Sequence, residues 1–241
     1  MWAAEKIHTT CRVRQHLERG QGHTSIQRVG ALPLLGGEGR GEGERSPATP
    51  LNCAFQRFAV NLLSPSSIVH PLDEFYARSG LNLPPLDQVD GEAMPEPYKS
   101  LLVHERDMTS TLETFHKAGI HLRLVSKERR GDEYFREVVL VLDGSEKPVE
   151  FGAIKINLAR FPEAAREAIL QERFPLGHIL KDFAIEYQSR PKAFLRVASD
   201  KTINHLLKLG GAQILYGRRN ALLNPMGESL AEIVEILPPA T

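Results

Sequence analysis

The segment YFREVVLVLDG, residues 134–144, and the segment PVEFGAIKINL, residues 148–158, decide the fold of this chain. Each has the apolar, β-branched character of a strand, and the polar connection DGSEK between them predicts a turn. The two segments are therefore predicted to pair as an antiparallel hairpin.

An arginine lies inside the first of these strands. Because side chains alternate across a strand, Arg136 shares a mostly apolar face with Val138 and Leu140. A buried guanidinium is costly unless an anionic group pairs with it. Arg136 is therefore expected either to have a structural carboxylate partner or to bind an anionic ligand. Spacing alone favours an ion pair within the sheet, because cross-strand charge pairs are common.

Composition is that of an ordinary soluble protein. The 241 residues are 41% hydrophobic and include 30 acidic and 30 basic side chains. This balance argues against a nucleic-acid or membrane partner, and no apolar run approaches the roughly 20 residues that span a bilayer. The two cysteines, Cys11 and Cys53, form neither a disulfide framework nor a metal site, which favours a reducing cytoplasm. We expect a cytoplasmic protein with a small-molecule partner, and the oligomeric state stays open.

The character of the sequence changes near residue 70. Residues 30–50 are rich in Gly, Glu and Arg, with no helical or strand period and little apolar content. We predict a disordered N-terminal extension over residues 1–68 and one domain over residues 69–241. The glycines of GGEGRGEG lack the strand, helix and GK[ST] of a phosphate loop. It stays open whether the extension belongs to the true protein, with a start near Met94 as the alternative.

Helix and strand signals follow one another after residue 70. A helix is predicted over residues 107–117, capped by Asp107 or Thr109 and ended by Gly119, and a Pro-rich connection over residues 83–97. Further helices are predicted at 71–80, 162–172, 175–183 and 199–211, the last closed by Gly210, and further strands at 120–126, 192–198, 212–223 and 229–237. Tight turns between strands predict an α+β fold, an antiparallel β-sheet covered by helices on one face, rather than a Rossmann fold.

Standard catalytic templates do not fit the predicted domain. It has no GxSxG elbow and no cysteine, and its histidines show no HxH or HExxH spacing, so neither a metal nor a cofactor is predicted. Charged residues on apolar strands remain, and these are Arg136, Lys155, Arg218, Arg219, Glu232 and Glu235. Cations that converge with a carboxylate favour an anionic ligand that carries a hydroxyl or loses a proton.

Four short motifs give a resemblance to a known family. They are DMTSTLE at 107–113, FREVVL at 135–140, PLG at 175–177, and YGRRN at 216–220 followed by EILPP at 235–239. In order and spacing, from about His70 to Pro239, the chain resembles the chorismate lyase family in its divergent bacterial branch. The resemblance implies a carbon–oxygen lyase that eliminates pyruvate from chorismate to give 4-hydroxybenzoate without a cofactor. That reaction belongs to ubiquinone biosynthesis, although the pathway served by this chain stays open.

The resemblance also implies roles for individual residues. Arg136 would hold the ring carboxylate, and Met108 and Leu176 would present backbone groups to the ligand. Glu235, four residues before Pro239 on the last strand, would lie at the ring hydroxyl and assist proton removal. The implied catalytic residues are therefore Glu235 and Arg136.

The chain departs from the family at one binding position. Better-known members have a second ligand-binding arginine just after a glycine on the strand that follows Arg136, where this chain has Ala153 after Gly152. Lys155 shares the face of Ala153 and is predicted to supply charge to the enolpyruvyl carboxylate. An ammonium group lacks the bidentate fork of arginine, so the exact substrate stays open.

The other strand charges have a structural interpretation. Glu232 lies three residues before Glu235 and hence on the opposite strand face, so both can point into one pocket only across a bulge. Arg218 and Arg219 are expected to form structural ion pairs first and to contact a ligand second.

Two alternatives to the lyase stay open. The fold that the resemblance implies also serves as the effector-sensing domain of GntR-type regulators, so the chain could bind a small aromatic or sugar acid without turning it over. No helix-turn-helix with a basic recognition helix is evident in the first 70 residues, which weighs against a complete regulator. The missing arginine would also permit a lyase that acts on a modified chorismate derivative.

Overall fold

The computed structural model describes residues 68–240. The predicted disordered extension lies outside these residues apart from Ile68, as do both cysteines. The helices are α1 (Leu72–Arg78), α2 (Tyr98–Leu102), α3 (Met108–His116), α4 (Glu163–Leu170), α5 (Leu176–Asp182) and α6 (Lys201–Leu207). The strands are β1 (Leu86–Val89), β2 (Ile120–Arg130), β3 (Glu133–Leu142), β4 (Pro148–Asn157), β5 (Gln188–Ala198), β6 (Ile214–Leu223) and β7 (Ser229–Leu237).

The strands form one antiparallel sheet in the order β1-β5-β6-β7-β4-β3-β2. The hairpin of β3 and β4 forms as predicted, with Arg136 opposite Ile154 and Val138 opposite Gly152. On its other side β4 pairs with β7, which sets Gly152 opposite Glu235. The α+β class and the antiparallel sheet are confirmed.

Helices cover both faces of this sheet, whereas the prediction placed them on one. Helices α2, α3, α4 and α5 pack on the face that carries Tyr134 and Val138. Helices α1 and α6 pack on the opposite face, against Phe135 and Val139. The reason lies in β3 itself, because the buried residues of this strand alternate between two apolar faces and each face must be covered.

Two local predictions were wrong. The segment predicted as a Pro-rich connection contains the edge strand β1, which begins directly after Pro84 and Pro85 and pairs with β5. Helices α3 and α6 end on the left-handed residues Lys117 and Lys208, two residues before the predicted glycines. Because Leu72 and Phe75 lie in the core, the domain includes residues before Met94.

The helices are short throughout the described part of the chain. The longest, α3, has nine residues. None of the helices within residues 68–240 is long and apolar enough to cross a membrane.

Candidate functional site

A cavity lies between the central strands and the first residues of α3 and α5. Its volume is about 50 Å³, and a buried water needs only ~10–15 Å³ on the same measure, so it can take a ligand group of several atoms. Most of its lining is apolar. The polar side chains that reach it are Asp107, Thr109, Arg136, Glu150, Asn220 and Glu235.

Arg136 is a buried cation with donor nitrogens that no described residue uses. Its side chain is 1% exposed, and Nε and Nη1 donate to no group in the described part of the chain. Desolvation lowers the pKa of this guanidinium to about 10, although nearby Tyr134 and Glu172 raise it. At neutral pH Arg136 is still positive, so it offers the cavity two unused donors on a fixed charge.

The other strand charges do form ion pairs. Arg219 lies 2.7 Å from Glu232, and the buried Arg218 contacts Glu235 through Nε. Glu232 and Glu235 point to opposite faces of β7, as alternation predicted, since only Glu235 lines the cavity. The interpretation of these charges as structural pairs therefore describes Arg218 and Arg219 but not Arg136.

Lys155 does not reach the cavity, contrary to the prediction. Its neighbours on β4, Gly152 and Ile154, line the cavity, so alternation turns Lys155 and Ala153 to the other face. There the Lys155 ammonium lies 2.5 Å from Glu133. The prediction that β4 contributes to the site is correct, because Gly152 and Ile154 line the cavity, but Lys155 lies on the opposite face of that strand.

Glu235 forms part of the cavity wall. Its carboxylate is 3% exposed, and Oε2 accepts from Arg218. The remaining donors of Arg218 bind the carbonyl oxygens of Leu102, His104 and Arg106 at 3.0–3.2 Å. One ion pair thus fixes both the ligand-facing carboxylate and the loop that leads into α3.

The first residues of two helices complete the site. Met108 and Leu176 begin α3 and α5, and both line the cavity, where first-turn backbone N–H groups have no acceptor within the helix. The two helix ends approach closely at Gly177. A Cβ there would lie 2.8 Å from Thr109 Oγ1 and 2.9 Å from Asp107 Oδ1, which explains the glycine of the PLG motif. Arg136, Glu235, Met108 and Leu176 are therefore brought to one cavity.

Glu150 is a cavity residue that the sequence analysis missed. It is 4% exposed, and Oε2 has no partner in the described part of the chain. Burial first, and then the charges of Glu235 and Asp107, raise the pKa of this carboxyl well above its usual range, while Arg218 lowers it. Burial and the two acidic neighbours therefore favour the protonated, neutral form of Glu150. Side chains two residues apart on a strand share a face, so Ile154, Gly152 and Glu150 all face the cavity side of β4, and alternation along this strand would have identified Glu150.

The buried acid predicts a pH-dependent stability that Glu150→Gln removes. A folded-state pKa above the ordinary value of 4.5 stabilises the protein fully below that value, and this contribution is lost as pH rises through the folded pKa. Each unit of elevation corresponds to about 1.4 kcal/mol. Thermal unfolding should therefore show equal stability of the unaltered protein and Glu150→Gln near pH 4, and a more stable Glu150→Gln variant at pH 7. A difference that does not change with pH would contradict a neutral Glu150.

Comparison with known proteins gives likenesses of shape only. No protein-family model and no curated protein matches the chain. Among solved structures, it is similar to the ligand-binding domain of a GntR-family transcriptional regulator from Bordetella bronchiseptica, with a TM-score of 0.39, 14% identity, and 51% of this chain and 86% of that one covered.

PhnF from Mycobacterium smegmatis is similar at a TM-score of 0.45 and 12% identity, over 56% of this chain and 65% of PhnF. The separate effector domain of PhnF gives a TM-score of 0.42 at 12% identity, over 54% of this chain and 87% of that domain.

Within residues 68–240, no three His, Cys, Asp or Glu side chains are grouped as metal ligands.

Proposed function

We propose that this protein binds a small carboxylic acid that carries a hydroxyl group, and that Arg136 anchors the carboxylate. The observation that carries the proposal is the Arg136 guanidinium at the cavity wall, whose Nε and Nη1 have no hydrogen-bond partner among the described residues. A buried cation without a partner is unfavourable, and a ligand carboxylate supplies a planar bidentate acceptor for it. The backbone N–H groups of Met108 and Leu176, which have no acceptor within their own helices, would add donors for the same anion.

The opposite end of the ligand would lie at Glu235. Strand pairing sets Val138, Gly152 and Glu235 side by side across β3, β4 and β7, two residues along from Arg136. Two residues of a strand span ~6.6 Å. A benzene ring with a carboxylate and a para hydroxyl bridges a gap of this size, so 4-hydroxybenzoate is the first ligand to test.

Chorismate lyase activity is the second candidate. It is favoured because Arg136, Glu235, Met108 and Leu176 line one cavity, as the family resemblance implies. Loss of the enolpyruvyl group from chorismate as pyruvate, with loss of the adjacent ring proton, gives an aromatic product, and Glu235 is placed to take part in that proton transfer. Chorismate has a second carboxylate, however, and Arg136 is the only Arg or Lys that lines the cavity in the described part of the chain.

One pair of measurements separates these functions. Calorimetric titration with 4-hydroxybenzoate tests binding, and incubation with chorismate tests release of pyruvate. Binding without pyruvate above the uncatalysed background supports a binding protein, whereas equimolar pyruvate and 4-hydroxybenzoate support the lyase. If the protein neither binds 4-hydroxybenzoate nor releases pyruvate from chorismate, both proposed functions are contradicted.

A further inference from the structure

The geometry points to Glu150 as the residue that selects among acids. We infer that its carboxyl group hydrogen-bonds the ligand hydroxyl, and that this end of the cavity, where the described lining residues include Glu235 but no second cation, does not accept a second ligand carboxylate. This inference rests on the proposed function and narrows the ligand class to monocarboxylic acids with a neutral hydrogen-bonding group at the far end.

The position of Glu150 sets the length of the ligand. Glu150 pairs with Leu140, four residues along β3 from Arg136. Its side chain leans back toward Arg136, because Oε1 lies 3.0 Å from the position that a Cβ on Gly152 would take. The carboxyl group therefore lies near the level of Gly152, one two-residue step of ~6.6 Å from the row of Arg136. The missing side chain at Gly152 makes this possible.

The charges around Glu150 come from three neighbouring elements. Glu235 on β7 and Asp107 at the start of α3 are acidic, and both disfavour a second negative charge. Arg218 on β6 is basic but already contacts Glu235 through Nε. On the paired strand, Leu140 and Val138 are apolar. Because no described residue pairs with Oε2 and none gives Glu150 a cation of its own, its protonated form is favoured.

Glu150 and Glu235 together favour a hydroxyl over a carboxylate at the far end of the ligand. The protonated carboxyl can donate to a ligand hydroxyl and accept from it, since it has both a proton and free lone pairs. Arg136 can pair with one ligand carboxylate. A second carboxylate at the far end would lie near the Glu235 carboxylate in a dry cavity, where like charges cost several-fold more than in water, and no described residue there offers it a free cation.

The test uses the full chain at pH 7 with three probes. These are 4-hydroxybenzoate, benzoate and benzene-1,4-dicarboxylate, each titrated by calorimetry. We expect 4-hydroxybenzoate to bind about tenfold more tightly than benzoate, and at least about 100-fold more tightly than the dicarboxylate. Glu150→Leu should remove most of the tenfold preference for the hydroxyl, and Glu150→Gln should restore most of it, because the amide is neutral and forms hydrogen bonds.

Several results would overturn the inference. Equal binding of the dicarboxylate and 4-hydroxybenzoate to the unaltered protein would do so, as would an unchanged hydroxyl preference in a folded Leu variant. If the Leu variant does not fold, the Gln variant decides: a gain of more than about tenfold in dicarboxylate affinity would show that Glu150 carried a charge. If the unaltered protein binds none of the probes, the proposed function itself fails and the inference fails with it.

Discussion

Arg136→Met is expected to lower the affinity for 4-hydroxybenzoate by about 100-fold or more and to stabilise the protein without ligand. Loss of a desolvated, charge-assisted pair costs on the order of 2–5 kcal/mol of binding free energy. Methionine has a similar length and no charge, so it fills the same space without an anion-binding group. Titration calorimetry measures the affinity change directly.

The gain in stability has a separate cause. Without ligand, two buried donor nitrogens of Arg136 have no partner among residues 68–240, and leaving such groups unsatisfied costs on the order of 1–3 kcal/mol. Methionine removes that cost, so urea unfolding without ligand should shift to higher denaturant concentration. If Arg136→Met weakens ligand binding but raises the free energy of unfolding, the arginine serves ligand binding and not the stability of the fold.

Lys155→Ala is the matched control, since it removes a cation from the same hairpin on the other face. Its ion pair with Glu133 is partly exposed, and such pairs contribute at most about 1 kcal/mol. We expect near-unchanged ligand affinity. If Lys155→Ala weakened binding as much as Arg136→Met, the cavity would not be the binding site. If Arg136→Met destabilised the empty protein, Arg136 would have a structural role that its contacts do not show.

Strand periodicity predicted the hairpin and the separation of Glu232 from Glu235, because alternation is a local property of the backbone. The same rule, applied through β4, would have excluded Lys155 and found Glu150. The prediction for Lys155 was instead based on the family arginine, which corresponds to Ala153 after Gly152. That position faces the second apolar layer, which the sequence analysis left without helices.

The convergence of α3 and α5 could not be read from local patterns. Met108 and Leu176 are 68 positions apart in sequence, and their meeting depends on the packing of both helices against the sheet. Only the family resemblance placed them at one ligand. The close approach at Gly177 is the physical reason that the resemblance includes a glycine at this point.

Arg218→Met is expected to give the largest loss of stability, about 3–5 kcal/mol in the free energy of unfolding. It would leave Glu235 as a buried carboxylate without its cation, which is the costly way to break a buried ion pair. It would also remove the donor shared by the carbonyl oxygens of Leu102, His104 and Arg106. Urea unfolding of the ligand-free protein measures the loss.

The double variant Arg218→Met with Glu235→Leu separates these two contributions. Removing both charges eliminates the uncompensated carboxylate, so the double variant should be more stable than Arg218→Met alone, by about 1–3 kcal/mol. What remains is the cost of the released carbonyl groups. Additive losses from the two single variants would show that the pair is not coupled.

The histidine beside this pair offers an independent measurement. Burial first, and then the charges of Arg218 and Arg106, lower the pKa of His104 to about 4. Arg218→Met should therefore raise this pKa, and titration of the imidazole signals by NMR follows it in a folded variant. An unchanged pKa would mean that Arg218 does not act on the loop through its charge. A rise in this pKa would show that Arg218, the ion-pair partner of Glu235, also keeps His104 neutral in the loop before α3. The charge of Glu235 and the neutrality of His104 would then depend on the same guanidinium.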